Sequence, residues 1–133
     1  NLASRLESAN RLYGTEILIG EGTFALAREH VEVREVDLVR VKGKHRPVRV
    51  FELLAMKGEL PAEERARVET FEQALIAYRR GEFARALEIL VPLARETRED
   101  RTVTLYIERC KAYLEAPPDE GWDGVYEFKQ KTG

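Results

Sequence analysis

Apolar residues first recur at helical spacing. Leu2, Leu6, Ala9 and Leu12 are three and four positions apart, which predicts an amphipathic helix that Gly14 can end. Thr15 to Gly20 (TEILIG) is a short β-branched run and predicts a buried strand. Helical spacing returns from Gly20 to Glu29, with Phe24, Ala27 and Ala25 as the candidates for the inner side. Two alternating stretches follow. The first has Val31, Val33, Val36, then Leu38, Val39 and Val41 as its apolar positions, and the second covers Pro47 to Leu54. The polar KGKHR between them, with its glycine, predicts a β-hairpin.

The grammar changes near Met56–Leu60. Pro61 and the acidic turn Ala62-Glu63-Glu64 open a helix whose face is Val68, Phe71, Leu75 and Tyr78, ending at Gly81. A second helix carries Phe83, Ala86, Leu87, Leu90 and Leu93, and Pro92 should kink it or move its end. A third runs through Val103, Ile107, Cys110 and Leu114 and stops at Pro117-Pro118. The expected divisions are 1–56, 60–116 and a tail, 117–133, that is loosely held at its end. Trp122 in that tail either pins it onto the helices or projects toward a neighbouring domain.

Composition narrows the possibilities. With 22 basic and 24 acidic residues among 133, the chain is not a general polyanion binder. One basic cluster stands out, since Arg40, Lys42, Lys44, Arg46 and Arg49 occur between Leu38 and Phe51 with no acidic residue among them. Such a hairpin suits phosphates, either of nucleic acid or of a nucleotide, although no aromatic residue is interleaved for base stacking. A single cysteine, Cys110, excludes an internal disulfide framework and a thiolate zinc cage, and it reads as a small core residue in a reducing compartment. His30 and His45 are far apart and have no cysteine nearby, so both read as solvent-facing or hydrogen-bonded. No apolar run reaches the roughly 20 residues that span a bilayer, and the start has no signal-peptide pattern. The expected location is cytoplasmic, with any membrane anchor in residues preceding Asn1. Because residue 1 is Asn, the chain is expected to begin partway into something longer.

Asn1 and Arg5 stand one helical turn apart on a face that Leu2 and Leu6 leave. An amide there can hold a hydroxyl or ether oxygen, and a guanidinium can hold a phosphate. By spacing alone, a solvated helix surface is the simpler explanation. The wider context adds to it. NLASRLE, then YGTEILIGEGTF, then REVDLVRVKGKHRPVRVFEL, in this order over residues 1 to about 55, resemble the C-terminal third of the class III adenylate/guanylate cyclase catalytic domain.

That resemblance implies an α+β fold, a partial ferredoxin-like core of helix, strand, helix and β-hairpin. It also implies a head-to-tail homodimer with its active sites at the interface. Position by position, Asn1 matches the asparagine that orients the ribose. Arg5 matches the arginine that stabilises charge on the α-phosphate, and Lys42 matches the lysine on the terminal phosphates. ATP would be the substrate and cyclic AMP plus pyrophosphate the products; nothing in these residues selects the purine. The Mg²⁺ or Mn²⁺ ligands of the family lie upstream of Asn1, and Glu35 and Asp37 are not substitutes for them. The chain alone is therefore expected to convert no ATP, and nucleic acid is not an expected partner.

The helical half resembles a tetratricopeptide unit. GEFARAL (81–87) matches the turn and second-helix start of that repeat, with Ala74 and Tyr78 upstream on the first helix. Only about one and a half repeats are visible, against the roughly three of a free-standing solenoid. The implied fold class for this half is an all-α tetratricopeptide-like extension, and the implied role is regulation or assembly through a protein partner at residues 60–133. A competing expectation is the same interaction module attached to a degenerate, non-catalytic cyclase-like domain.

Overall fold

The computed structural model describes residues 2–41, 46–97 and 99–128. In chain order the elements are α1 (Leu2–Tyr13), β1 (Leu18–Gly20), α2 (Glu21–Ala27), β2 (Val31–Val41), β3 (Val48–Met56), α3 (Ala62–Arg79), α4 (Phe83–Glu96), α5 (Arg101–Glu115) and β4 (Tyr126–Phe128). This is an α+β arrangement of five helices and one four-stranded mixed sheet. No helix among the described residues is long and apolar enough to cross a membrane. The chain divides into two compact units, Asn1–Leu60 with Val125–Gly133, and Pro61–Gly124. The helical unit is thus inserted in the chain between β3 and β4.

The sheet runs β1-β3-β2-β4. β2 and β3 form the expected antiparallel hairpin, and β1 adds antiparallel to β3 with Leu18 opposite Glu52 and Gly20 opposite Val50. The strand expected from Thr15 is shorter, because Thr15 is used to close α1. Its N–H donates to the Asn10 carbonyl and its hydroxyl to Asn10 Oδ1 at 2.7 Å.

β2 does not bury the residues that its opening alternation suggests. Glu32 and Arg34 are each 7% exposed, while Val31 and Val33 are half-buried. The register shift between Glu35 and Asp37, at Val36, accounts for this. An extra residue in a ladder moves the following side chains to the other face. The buried positions therefore run 32, 34 and 36 before the second irregularity, then 37 and 39 after it.

Each buried charge has a partner, as burial requires. Glu32 accepts the Gly58 N–H at 2.9 Å, and Arg34 pairs with Glu52, its cross-strand neighbour, at 2.8 Å. On the opposite parity, Phe51 stacks with Phe24 of α2, ring centroids 4.3 Å apart.

The helical unit is built on one apolar cluster: Phe71, Ala74, Leu75 and Tyr78 of α3, Phe83, Ala86 and Leu90 of α4, and Val103, Tyr106 and Cys110 of α5. Ala74 and Ala86, 1% and 0% exposed, let α3 and α4 approach closely, and Tyr78 meets Phe83 edge-on. Gly81 adopts φ +78°, so Glu82 N–H reaches the Ala77 carbonyl and Gly81 N–H the Tyr78 carbonyl, ending α3. α4 continues past Pro92 to Glu96 because Leu93, beyond the proline, is buried in the cluster, and Thr97 caps its carbonyl at 2.8 Å. Asp100 caps α5 by accepting the Thr102 and Val103 N–H groups.

Residues 117–128 are not a uniform tail. Trp122 lies against Tyr78, Phe83 and Tyr113 at centroid distances of 5.3 to 5.4 Å, the pinned arrangement. Four residues later β4 pairs in parallel with β2, Val39 opposite Tyr126 and Val41 opposite Phe128.

Candidate functional site

Arg5 is half-buried on α1, and of the three residues matched to the nucleotide it is the one the structure describes. Asn1 and Lys42 lie outside the described residues, as do Lys44 and His45. What the structure adds is the scaffold that holds Arg5.

α1 is seated by a hydrogen bond that sequence reasoning missed. The Tyr13 hydroxyl donates to Asp37 Oδ2 at 2.5 Å, and Leu38 N–H donates to Asp37 Oδ1 at 2.8 Å. Tyr13 and Asp37 are both fully buried. The last residue of the arginine-bearing helix is therefore tied to β2, five positions before Lys42. An aspartate set between the apolar Val36 and Leu38 was the available signal, since a buried carboxylate needs donors.

A short link joins α1 to β1, and the two elements line a shared groove of about 370 Å³ with Leu6, Glu7, Asn10, Leu18, Gly20 and Thr23 on its walls. Gly20 faces Val50 and Leu18 faces Glu52, so β1 points toward the end of the sheet where β2 passes into β3.

The basic hairpin is less bare than the sequence suggests. Arg40 is half-buried and Arg46 exposed. Arg49 faces Glu35 across the strands at 3.9 Å, a loose and exposed pair that is worth little in stability but offsets positive charge. From α2, Glu21 accepts the Arg49 backbone N–H at 2.7 Å and ties the start of β3 in place. Arg40 and Arg49 thus sit on a strand pair that is braced by the Glu21 contact from α2 and by the Tyr13–Asp37 bond.

Asp37 and Glu35 are committed to these contacts. Among the described residues no group of three His, Cys, Asp or Glu side chains is placed to hold a metal ion. His30 is exposed. Cys110 is fully buried, and burial pushes its thiol up to about 11 despite the nearby Arg109, which makes it a poor nucleophile. No family model matches the chain, and no match is found among curated proteins or solved structures.

Proposed function

We propose that residues 1–60 are the C-terminal part of a class III nucleotidyl cyclase catalytic domain, and that residues 61–124 are a tetratricopeptide-like unit that serves its regulation or assembly. The observation that carries the reading is the ordered set of three motifs, NLASRLE, YGTEILIGEGTF and the basic hairpin sequence, within one segment. In the reaction the ribose 3′-oxygen bonds the α-phosphorus and the bond to pyrophosphate breaks. Such a transfer needs positioning and fixed positive charge more than covalent help.

Arg5 stabilises the charge that builds on the α-phosphate, Asn1 orients the ribose, and Lys42 holds the terminal phosphates. Lys44 and Arg46 add to the field without being ligands. The seat under Tyr13 supports this reading because a guanidinium acts in a transition state only if its position is fixed beforehand. Mg²⁺ or Mn²⁺ would be held by residues outside this chain, and so would half of the sheet. The chain alone therefore turns over no ATP, and the working enzyme is a homodimer of longer chains in the cytoplasm. A cyclase activity from residues 1–133 alone would contradict this.

The test uses a longer form of the chain that includes the residues preceding Asn1. Lys42→Ala should raise KM for ATP more than it lowers kcat, as expected for a contact with the ground-state triphosphate. Unchanged kinetics would remove Lys42 from the site.

A second reading is favoured by the self-contained core of Pro61–Gly124. Here the helical unit docks a protein partner while the cyclase-like part is degenerate. The two readings separate when residues 61–124 are replaced by a short Gly/Ser linker. Turnover should survive with altered regulation under the first, and no form should turn over ATP under the second.

A further inference from the structure

The strand register puts two arginines on one face of the sheet at the base of the hairpin. Leu38 stands opposite Arg49, and cross-strand partners share a face. Arg40 lies two positions past Leu38, and the ladders of β2 show no shift between them, so Arg40 returns to that face. It is there the diagonal neighbour of Arg49. Diagonal neighbours are roughly 7–8 Å apart, within reach of long side chains, so two guanidiniums can meet on one tetrahedral anion.

Three carboxylates border the pair. Glu35 Oε2 lies 3.9 Å from Arg49 Nε, which is beyond hydrogen-bond reach. Glu127 of β4 is the register partner of Arg40. Glu21 accepts the Arg49 backbone N–H at 2.7 Å, which fixes the main chain of Arg49 and leaves its side chain, 60% exposed, to pivot. At rest the face is therefore charge-balanced, and a monovalent anion gains little over the carboxylates already there. A polyphosphate group carries several charges and offers oxygens to both guanidiniums at once. It displaces Glu35 from Arg49 easily, because so loose and exposed a pair is weak.

We infer that Arg40 and Arg49 form a two-guanidinium subsite for a polyphosphate group, with Glu35 as a built-in competitor that keeps monovalent anions out. The use of this subsite to hold a triphosphate or a leaving pyrophosphate rests on the cyclase reading, whereas the anion site itself does not.

Calorimetric titration of the 133-residue chain with pyrophosphate, at fixed ionic strength and without divalent metal, tests the subsite. Arg49→Gln and Arg40→Gln should each weaken binding by about tenfold, as loss of one charge-assisted contact does. Glu35→Gln should strengthen it by about three- to fivefold, the range of an exposed ion pair. Lys57→Gln removes the same charge just beyond the far end of β3 and should leave binding unchanged. Arg49 is exposed, so its variant keeps the fold even if Arg40→Gln does not. The subsite is overturned if the wild type binds no pyrophosphate, if Arg49→Gln and Lys57→Gln weaken binding equally, or if Glu35→Gln brings no gain. It is also overturned if chloride competes as well as pyrophosphate does. A parallel titration with ATP identifies the source: Arg49-dependent binding assigns the site to a nucleotide's phosphates, and binding of pyrophosphate alone assigns it to free polyphosphate. Unchanged KM for ATP in Lys42→Ala would sink the cyclase reading and leave this titration standing, and an inert Arg49 would sink the subsite and leave Lys42 in place.

Discussion

Removing one oxygen atom tests the seat of α1. In Tyr13→Phe the ring still fills its fully buried site, so no large cavity forms, but Asp37 Oδ2 loses the hydroxyl 2.5 Å away. A hydrogen bond to a charged acceptor contributes about 1.5–3 kcal/mol, and a carboxylate without solvent access cannot replace the lost donor with bulk water. The expected loss is therefore about 2 kcal/mol, near the middle of that range. With a urea slope of about 2 kcal/mol/M, typical of small proteins, the midpoint should fall by ~1 M. Equilibrium unfolding by circular dichroism measures this, and a cycle with Asp37→Asn isolates the pair. Both single variants and the double variant should show a coupling above about 1 kcal/mol, as residues in one hydrogen-bond network do. A loss below ~0.5 kcal/mol with no coupling would refute the reasoning, since that is the range of ordinary surface substitutions.

Two further outcomes are expected. Glu52→Gln leaves the Arg34 guanidinium, whose side chain is 8% exposed, without its carboxylate at 2.8 Å and should cost about 1–3 kcal/mol by thermal melting. The pair swapped across the strands, Arg34→Glu with Glu52→Arg, should recover part of that loss, and no recovery would argue against a direct pairing. Cys110 gives a pH dependence. Its thiol is raised from 9.0 to about 11 by burial, so the unfolded chain releases the proton first as pH rises. Its contribution to stability is complete below pH 9 and declines as pH climbs toward 11. Urea midpoints at several pH values should fall more steeply over that window in the wild type than in Cys110→Ala; parallel curves would contradict the assignment.

Much of the architecture was legible because local signals agreed. Gly81, the acidic turn after Pro61 and the spacing of Phe71, Tyr78, Phe83 and Leu90 mark the helices without ambiguity, and KGKHR between alternating runs marks the hairpin. Three features were hidden for a physical reason. Alternation assumes an unbroken ladder, so the irregularity beside Val36 exchanged the faces and buried Glu32, Arg34 and Asp37. β4 has only three residues and its partner lies more than eighty positions upstream, so no local pattern could announce it. Thr15 looked like the start of a strand because its side-chain bond to Asn10 is invisible to hydropathy. Of the candidate site, Arg5 and its helix were readable from motif spacing, whereas the brace under that helix depends on a contact 24 residues apart, Tyr13 with Asp37.

The central proposal is that the Arg5 guanidinium meets the α-phosphate as charge builds on it. Rates of cyclic nucleotide formation from saturating ATP, compared between a longer homodimeric chain and its Arg5→Ala form, test this most directly. The account predicts a fall in kcat of about 10²–10³ with dimerisation unchanged by sedimentation. A kcat within a few-fold of the wild type, in a dimer that still forms, would contradict it.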